Sequence, residues 1–129
     1  MKTKIRIFRL MAFMLMIGMV SCKKDEPVLT PAELIIGKWK LIEFTNNGQT
    51  DANFKTWLIK NTYAIGGTFE FTTTTYKLTV AGFTDSQPYT MNGSTLIAGK
   101  STYAVTFSGS NQMTWRDDTE KINARFTKQ

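Results

Sequence analysis

From residue 37 to the end of the chain, apolar and polar positions alternate with a period of two, in short runs separated by turn residues. That period puts successive side chains on opposite faces of a strand, so each run reads as one half-buried strand. The runs cover residues 37–45, 67–71, 76–80, 89–91, 95–98, 103–108, 113–116 and 122–127. Asn92-Gly93 between the fourth and fifth is the strongest short hairpin signal. Gly109-Ser110-Asn111 and residues 116–119 mark further turns, and residues 81–88 read as a turn region. Eight strands with mostly short connections predict an all-β fold, an eight-stranded antiparallel up-and-down barrel. A Greek-key sandwich is the alternative. The strands are too short, and their outer faces too polar, for a membrane barrel with its ~9–11-residue strands.

Two stretches depart from the rhythm. Thr30-Pro31-Ala32-Glu33 has the capping threonine, first-turn proline and returning glutamate of a helix start, so a short helical turn precedes Gly37. Residues 46–66 form one long connection, in which Phe54, Trp57 and Leu58 at near-helical spacing predict a short helix over 53–61. A connection of that length suits a lid or binding loop.

Parity carries Trp39, Leu41, Phe69, Phe71, Tyr76, Leu78, Val80, Tyr89, Met91, Leu96, Tyr103, Val105, Phe107, Met113, Trp115, Ile122 and Phe126 to the inside. Eight strands leave an interior just wide enough for side chains or one small ligand. Both a filled core and a shallow apolar pocket near the mouth fit these residues. If strand one rises from the closed end, the mouth gathers 46–66, 81–88, 99–101 and 117–120. For the pocket, the candidate ligand-binding residues are Trp57, Tyr63, Tyr76, Tyr89 and Trp115. Strict parity adds Glu43, whereas a bulge would turn Phe44 inward instead.

The first 31 residues have another character. Lys2, Lys4, Arg6 and Arg9 precede an apolar run over 10–20, the layout of a secretory signal and too short to span a membrane. Met19-Val20-Ser21-Cys22 resembles a bacterial lipobox, which implies that Cys22 is acylated and anchors the protein to a membrane. The expected layout is a signal peptide over 1–21, a lipidated Cys and tether over 22–31, and a barrel domain over 32–129. Lys23-Lys24-Asp25-Glu26 also resembles a lipoprotein surface-export signal, with a generic polar tether as the alternative. The expected location is the outer membrane of a Gram-negative envelope, with surface exposure open.

The leader distorts the composition. The chain has 16 Lys+Arg against 10 Asp+Glu, and without the leader's four cations the net charge is only +2. No basic stripe remains, so no nucleic-acid partner is expected. The 108 residues from Cys22 onward suit one domain, expected as a monomer. The chain contains no histidine and one cysteine, so His-dependent triads and the usual zinc sites cannot be assembled. No cofactor, metal or enzymatic activity is expected. Asp117, Asp118 and Glu120 are the remaining candidates for calcium or acid–base work, though acids in a turn are ordinarily solvated.

Gly37-Lys38-Trp39 on the first strand resembles the Gly-x-Trp of lipocalins and the wider calycin group. The long loop after strand one and a basic residue near the end of the last strand fit the same pattern. The chain from 34 to 128 is similar to lipocalin-like domains carried by small bacterial lipoproteins. The resemblance implies that Arg125 packs its cation on the Trp39 ring, with a solvated strand cation as the alternative. It also implies a non-catalytic, membrane-anchored binder of a small apolar ligand such as a fatty acid. A cell-surface protein or glycan interaction module with a solid barrel core is the second reading, and a carboxylate hydrolase the third. Replacement of the anchor by Cys22→Ala is expected to release the protein from membranes. Continued membrane fractionation with palmitate labelling of that variant would refute the anchor.

Overall fold

The computed structural model describes residues 28–129; the expectations for the leader and Cys22 lie outside the described residues. A short helix α1, Pro31–Leu34, opens the fold, followed by strand β1, Gly37–Asn46. Helix α2, Asp51–Asn61, and a 3₁₀ turn, Thr62–Ala64, fill the long connection. Strands β2 (Thr68–Phe71), β3 (Thr75–Val80), β4 (Phe83–Pro88), β5 (Thr90–Asn92), β6 (Thr95–Ala98), β7 (Ser101–Ser108), β8 (Gln112–Asp117) and β9 (Ile122–Lys128) complete it. All pairings are antiparallel, in the order β4-β3-β2-β1-β9-β8-β7-β6-β5, and the sheet curls into a nearly closed barrel.

Nine strands stand where eight are expected. The additional one is β4, in the stretch that reads as a turn. Ala81 and Gly82 both have positive φ, 48° and 80°, and make a tight two-residue hairpin between Val80 and Phe83. The chain then runs six residues along β3. Alternation of direction around the sheet makes β4 and β5 run the same way, and only Tyr89 separates them. One continuous segment therefore supplies both edges: its first part pairs with β3, its second with β6. The wall has eight strand positions, closed by the covalent chain and not by a ladder. The β5–β6 hairpin also sits one residue later than Asn92-Gly93 suggests, because Asn92 pairs with Thr95.

The expected junction of first and last strands is present: β1 pairs antiparallel with β9 from Trp39↔Lys128 to Asn46↔Ile122. The register slips between Leu41 and Glu43, leaving Ile42 as a bulge. The bulge reverses parity, so Phe44 packs against the core while Glu43 lies opposite Arg125 and pairs with it on the outer surface.

The floor is filled. Thr30 and Glu33 cap α1 reciprocally, and α1 lies at this end. Trp39, Ile35, Leu41, Leu96, Val105, Met113 and Phe126 are fully buried. The Trp39 indole N–H donates to the Ile35 carbonyl at 2.8 Å, so its one polar atom is satisfied. The cation on the Trp39 ring is Lys128, with Nζ 5.0 Å from the centroid, and not Arg125. They stand three positions apart on β9, and parity is the reason: Arg125 faces outward, whereas the side chain of Lys128 at the strand end turns under the barrel to donate to the Leu34 carbonyl. Gly37, at φ 122°, makes room for this: a Cβ there would stand 2.9 Å from Lys128 Cε. The first and third residues of Gly37-Lys38-Trp39 thus serve one contact.

Trp39→Ala is expected to cost about 3–5 kcal/mol in urea unfolding, as loss of a buried aromatic does. Gly37→Ala, which needs an unfavourable φ and displaces Lys128, is expected to cost about 1–3 kcal/mol. An unchanged midpoint for both would remove this contact from the fold's supports.

Candidate functional site

The upper half of the barrel is open. A cavity of about 560 Å³ lies between the β-wall and α2. Its floor and walls are Phe69, Tyr76, Trp115, Phe126 and Tyr103, with Phe44 and Trp57 above. Trp115 packs tilted on Phe126 at 4.6 Å and edge to face on Phe69 at 5.4 Å, centroid to centroid, while Phe69 stacks on Tyr76. Such contacts hold large rings in place and leave their remaining faces toward the cavity. Asn61, Asp117 and Glu120 add polar groups at the rim. A volume of this size falls within the ~300–1,000 Å³ range of small-molecule sites.

The lid is α2. Thr50 caps it, accepting from the Asn53 amide. Its approach is fixed by Asn46, whose side chain accepts from Gly48 and Gln49. Gln49 donates to the Glu120 carbonyl at 2.7 Å, and the Asn47 amide to that of Lys121. Yet no residue of α2 is buried. Its hold on the barrel is Trp57, whose ring meets Phe44 edge-on at 4.9 Å and whose indole N–H donates to Glu120 Oε2 at 3.1 Å.

Of the candidates, Trp57, Tyr76 and Trp115 meet in this cavity. Tyr63 stands outside it, 69 % exposed, in a neighbouring apolar groove with Phe83. Tyr89 is at the closed end and buried: its amide donates to the Thr74 carbonyl and its hydroxyl to that of Thr72. It is displaced from the expected site because β4 carries the chain from mouth to floor before Tyr89 is reached. Glu43 is on the outer wall with Arg125, as the bulge at Ile42 requires. Tyr103, Phe69 and Phe126 also line the cavity, and their parity marks them as inward-facing. Asp85 carried no signal within an apparent turn. It sits opposite Leu78, a cavity residue, and so projects to the inner side.

Burial raises the Tyr76 phenol above its ordinary pKa of 10.0, with Tyr103 and Asp85 adding to the shift. Burial likewise raises Tyr89. Both hydroxyls stay protonated, Tyr76 as a donor to Gln87 Oε1 at 3.3 Å. Among the described residues no group of three His, Cys, Asp or Glu gathers as metal ligands would, and no helix is long and apolar enough to cross a membrane.

No protein-family model and no curated protein matches the chain. Among solved structures, a DUF4847 family protein from Bacteroides vulgatus ATCC 8482 is similar in fold, with a TM-score of 0.52. The two share 14 % identity over 74 % of this chain and 96 % of that one. At that identity the likeness shows the barrel fold alone.

A phenol whose folded pKa is raised holds its proton more tightly in the native state. Its contribution is complete below the unfolded pKa of about 10 and is lost as pH rises through the folded value. Stability is therefore expected to fall above pH ~10, and Tyr89→Phe to flatten that fall while costing about 1 kcal/mol at neutral pH through the lost hydrogen bond. Urea unfolding across pH 7–11 checks both; an identical alkaline slope in the variant would take Tyr89 out of the account.

Proposed function

We propose that this protein is a lipid-anchored, lipocalin-like lipoprotein that binds a small, largely apolar molecule in the cavity beneath α2, without catalysis. The observation that carries the reading is the cavity itself: seven aromatic rings around about 560 Å³, roofed by a helix with no buried residue. An apolar ligand gains the surface that the half-buried rings of Phe44, Trp57, Phe69, Tyr76 and Tyr103 otherwise leave in water, at ~25 cal/mol per Å² removed from it. The phenols of Tyr76 and Tyr103 supply polar handles. Gly37, Trp39 and the cation from the last strand support the lipocalin-like assignment, with Lys128 in the role assigned to Arg125.

The proposed anchor is Cys22, acylated after removal of residues 1–21, in the outer membrane of a Gram-negative cell. Residues 28–30 lead into α1 at the closed end, so a membrane tether attached there would turn the mouth away from the bilayer. A second reading, a protein or glycan interaction module, is favoured by one feature. Tyr63 and Phe83 stand 69 % and 68 % exposed beside the mouth, and exposed aromatics are frequent anchors of interfaces.

The test is a titration of the protein lacking residues 1–22 with fluorescent lipids. Saturable binding with a change in Trp57 emission is expected, because Trp57 joins the lid to the cavity. Deletion of 53–61 is expected to shift the affinity about tenfold or more while thermal unfolding stays cooperative. Absence of saturable binding across a broad apolar panel would refute the carrier reading and leave the interaction module.

A further inference from the structure

The acids of the barrel fall into two groups by position. On the outer surface Glu43 pairs with Arg125, Glu70 with Lys77 and Asp118 with Arg116, all within 4.0 Å. Asp117 and Glu120, which line the cavity, have no Lys or Arg within that distance among the described residues, nor does the inward-facing Asp85. Asp117 and Glu120 are also the charged members of the cavity lining, and both are acids. Lys100 shares the outer rim groove with them but does not line the cavity. The negative charge at the mouth is therefore unneutralised on the side that faces the ligand space.

Two further details bear on the chemistry. Glu120 Oε2 accepts from the Trp57 indole N–H, which fixes a carboxylate at the edge of a large aromatic ring. Tyr103, tilted against Trp115 with centroids 5.1 Å apart, lines both the cavity and the rim groove that holds Asp117 and Glu120. Aromatic faces attract cations through the ring quadrupole, and adjacent carboxylates add to that attraction. The same carboxylates repel an anionic head group.

Building on the proposed carrier reading, we infer that the cavity selects a cationic amphiphile: an amine or quaternary ammonium on an apolar body, with the cation at the rim between Glu120, Asp117 and the faces of Trp57 and Tyr103. The apolar body fills the aromatic cavity below. A fatty acid of the same length is the disfavoured ligand.

The full chain is titrated below each probe's micellar concentration with three molecules that share one apolar chain. These are dodecyltrimethylammonium, the neutral dodecyl maltoside and dodecanoate, read by tryptophan fluorescence. The cation is expected to bind about tenfold tighter than the neutral probe, and the anion weakest. Asp117→Asn with Glu120→Gln keeps the acceptor oxygens that serve Thr119, Glu120 and Trp57, and is expected to bring the cation-to-neutral ratio to about one. Asp118→Asn, at the exposed acid paired with Arg116, is expected to leave the ratio unchanged and so separates cavity selection from attraction to an acidic surface. Equal affinity for all three probes, or a ratio insensitive to the double variant, would overturn the charge selection and leave the carrier reading standing. No binding of any probe would overturn both.

Discussion

An up-and-down meander of antiparallel strands closes without leaving edges only if its first and last strands in the sheet order can meet. Here the sheet's two edges belong to adjacent segments of chain, β4 and β5, which run in the same direction with Tyr89 between them. Parallel neighbours that are consecutive in sequence have no room for a crossover, so no ladder can form between them. What closes the wall is Tyr89. Its amide continues the hydrogen bonding of β4 onto the β2–β3 turn at Thr74, its hydroxyl bonds to Thr72, and its ring packs edge-on against Phe71 at 5.2 Å. Below this residue the segment belongs to β6 and above it to β3. The filled floor depends on that switch, because it lets the same chain seal the bottom and still reach the mouth.

Filling then divides the barrel. At the floor Trp39 occupies the axis, covered below by the Ile35 carbonyl and the Lys128 ammonium. Toward the mouth aromatic contacts reach across the interior, because β2 pairs with neither β8 nor β9. Phe69 touches Tyr76, Trp115 and Phe126 with ring centroids 5.1–6.2 Å apart. Above these ring contacts a space remains, and α2 covers it without burying a residue of its own. An eight-position barrel is on the margin between a plugged and a hollow interior, and this one is plugged below and hollow above.

The period-two rhythm made most strands legible, along with the capped helix at Thr30 and the lid helix, because each rests on local chemistry. Three features escaped it. Residues 83–88, Phe-Thr-Asp-Ser-Gln-Pro, contain one apolar side chain, and the positions that face inward after Phe83 are Asp85 and Gln87. A strand whose inner face is polar has no hydrophobic alternation to report it. The bulge at Ile42 lies within a run of strand residues that carries no mark of it, so strict parity points Glu43 inward and only a bulge admits Phe44; pairing across to Arg125 and Ala124 decides between them. The cation on Trp39 is Lys128, the last residue of β9 and the cross-strand partner of Trp39; it shares the inward parity of Ile122, Ala124 and Phe126, but only the register of β1 against β9 brings it opposite that ring. The candidate site shows the same division. Trp57, Tyr76 and Trp115 follow from parity and helical spacing, but Tyr89 depends on how many strands precede it.

The lid and the charge at the mouth rest on the same residue. Glu120 receives the Trp57 indole and the Gln49 amide reaches the Glu120 carbonyl, so the β8–β9 turn holds α2 over the cavity. A helix with no buried residue and one ring-to-ring contact to the wall belongs to the low-stability end of a domain, where opening requires little. An uncharged acceptor at position 120 would also accept the Trp57 indole N–H, through a weaker bond. The Glu120 carboxylate is exposed, and the negative charge it puts at the cavity rim is more than the lid's geometry requires. Glu120 therefore couples two properties that a simple roof would keep separate: closure of α2, and the sign of the charge that any molecule entering beneath it must meet.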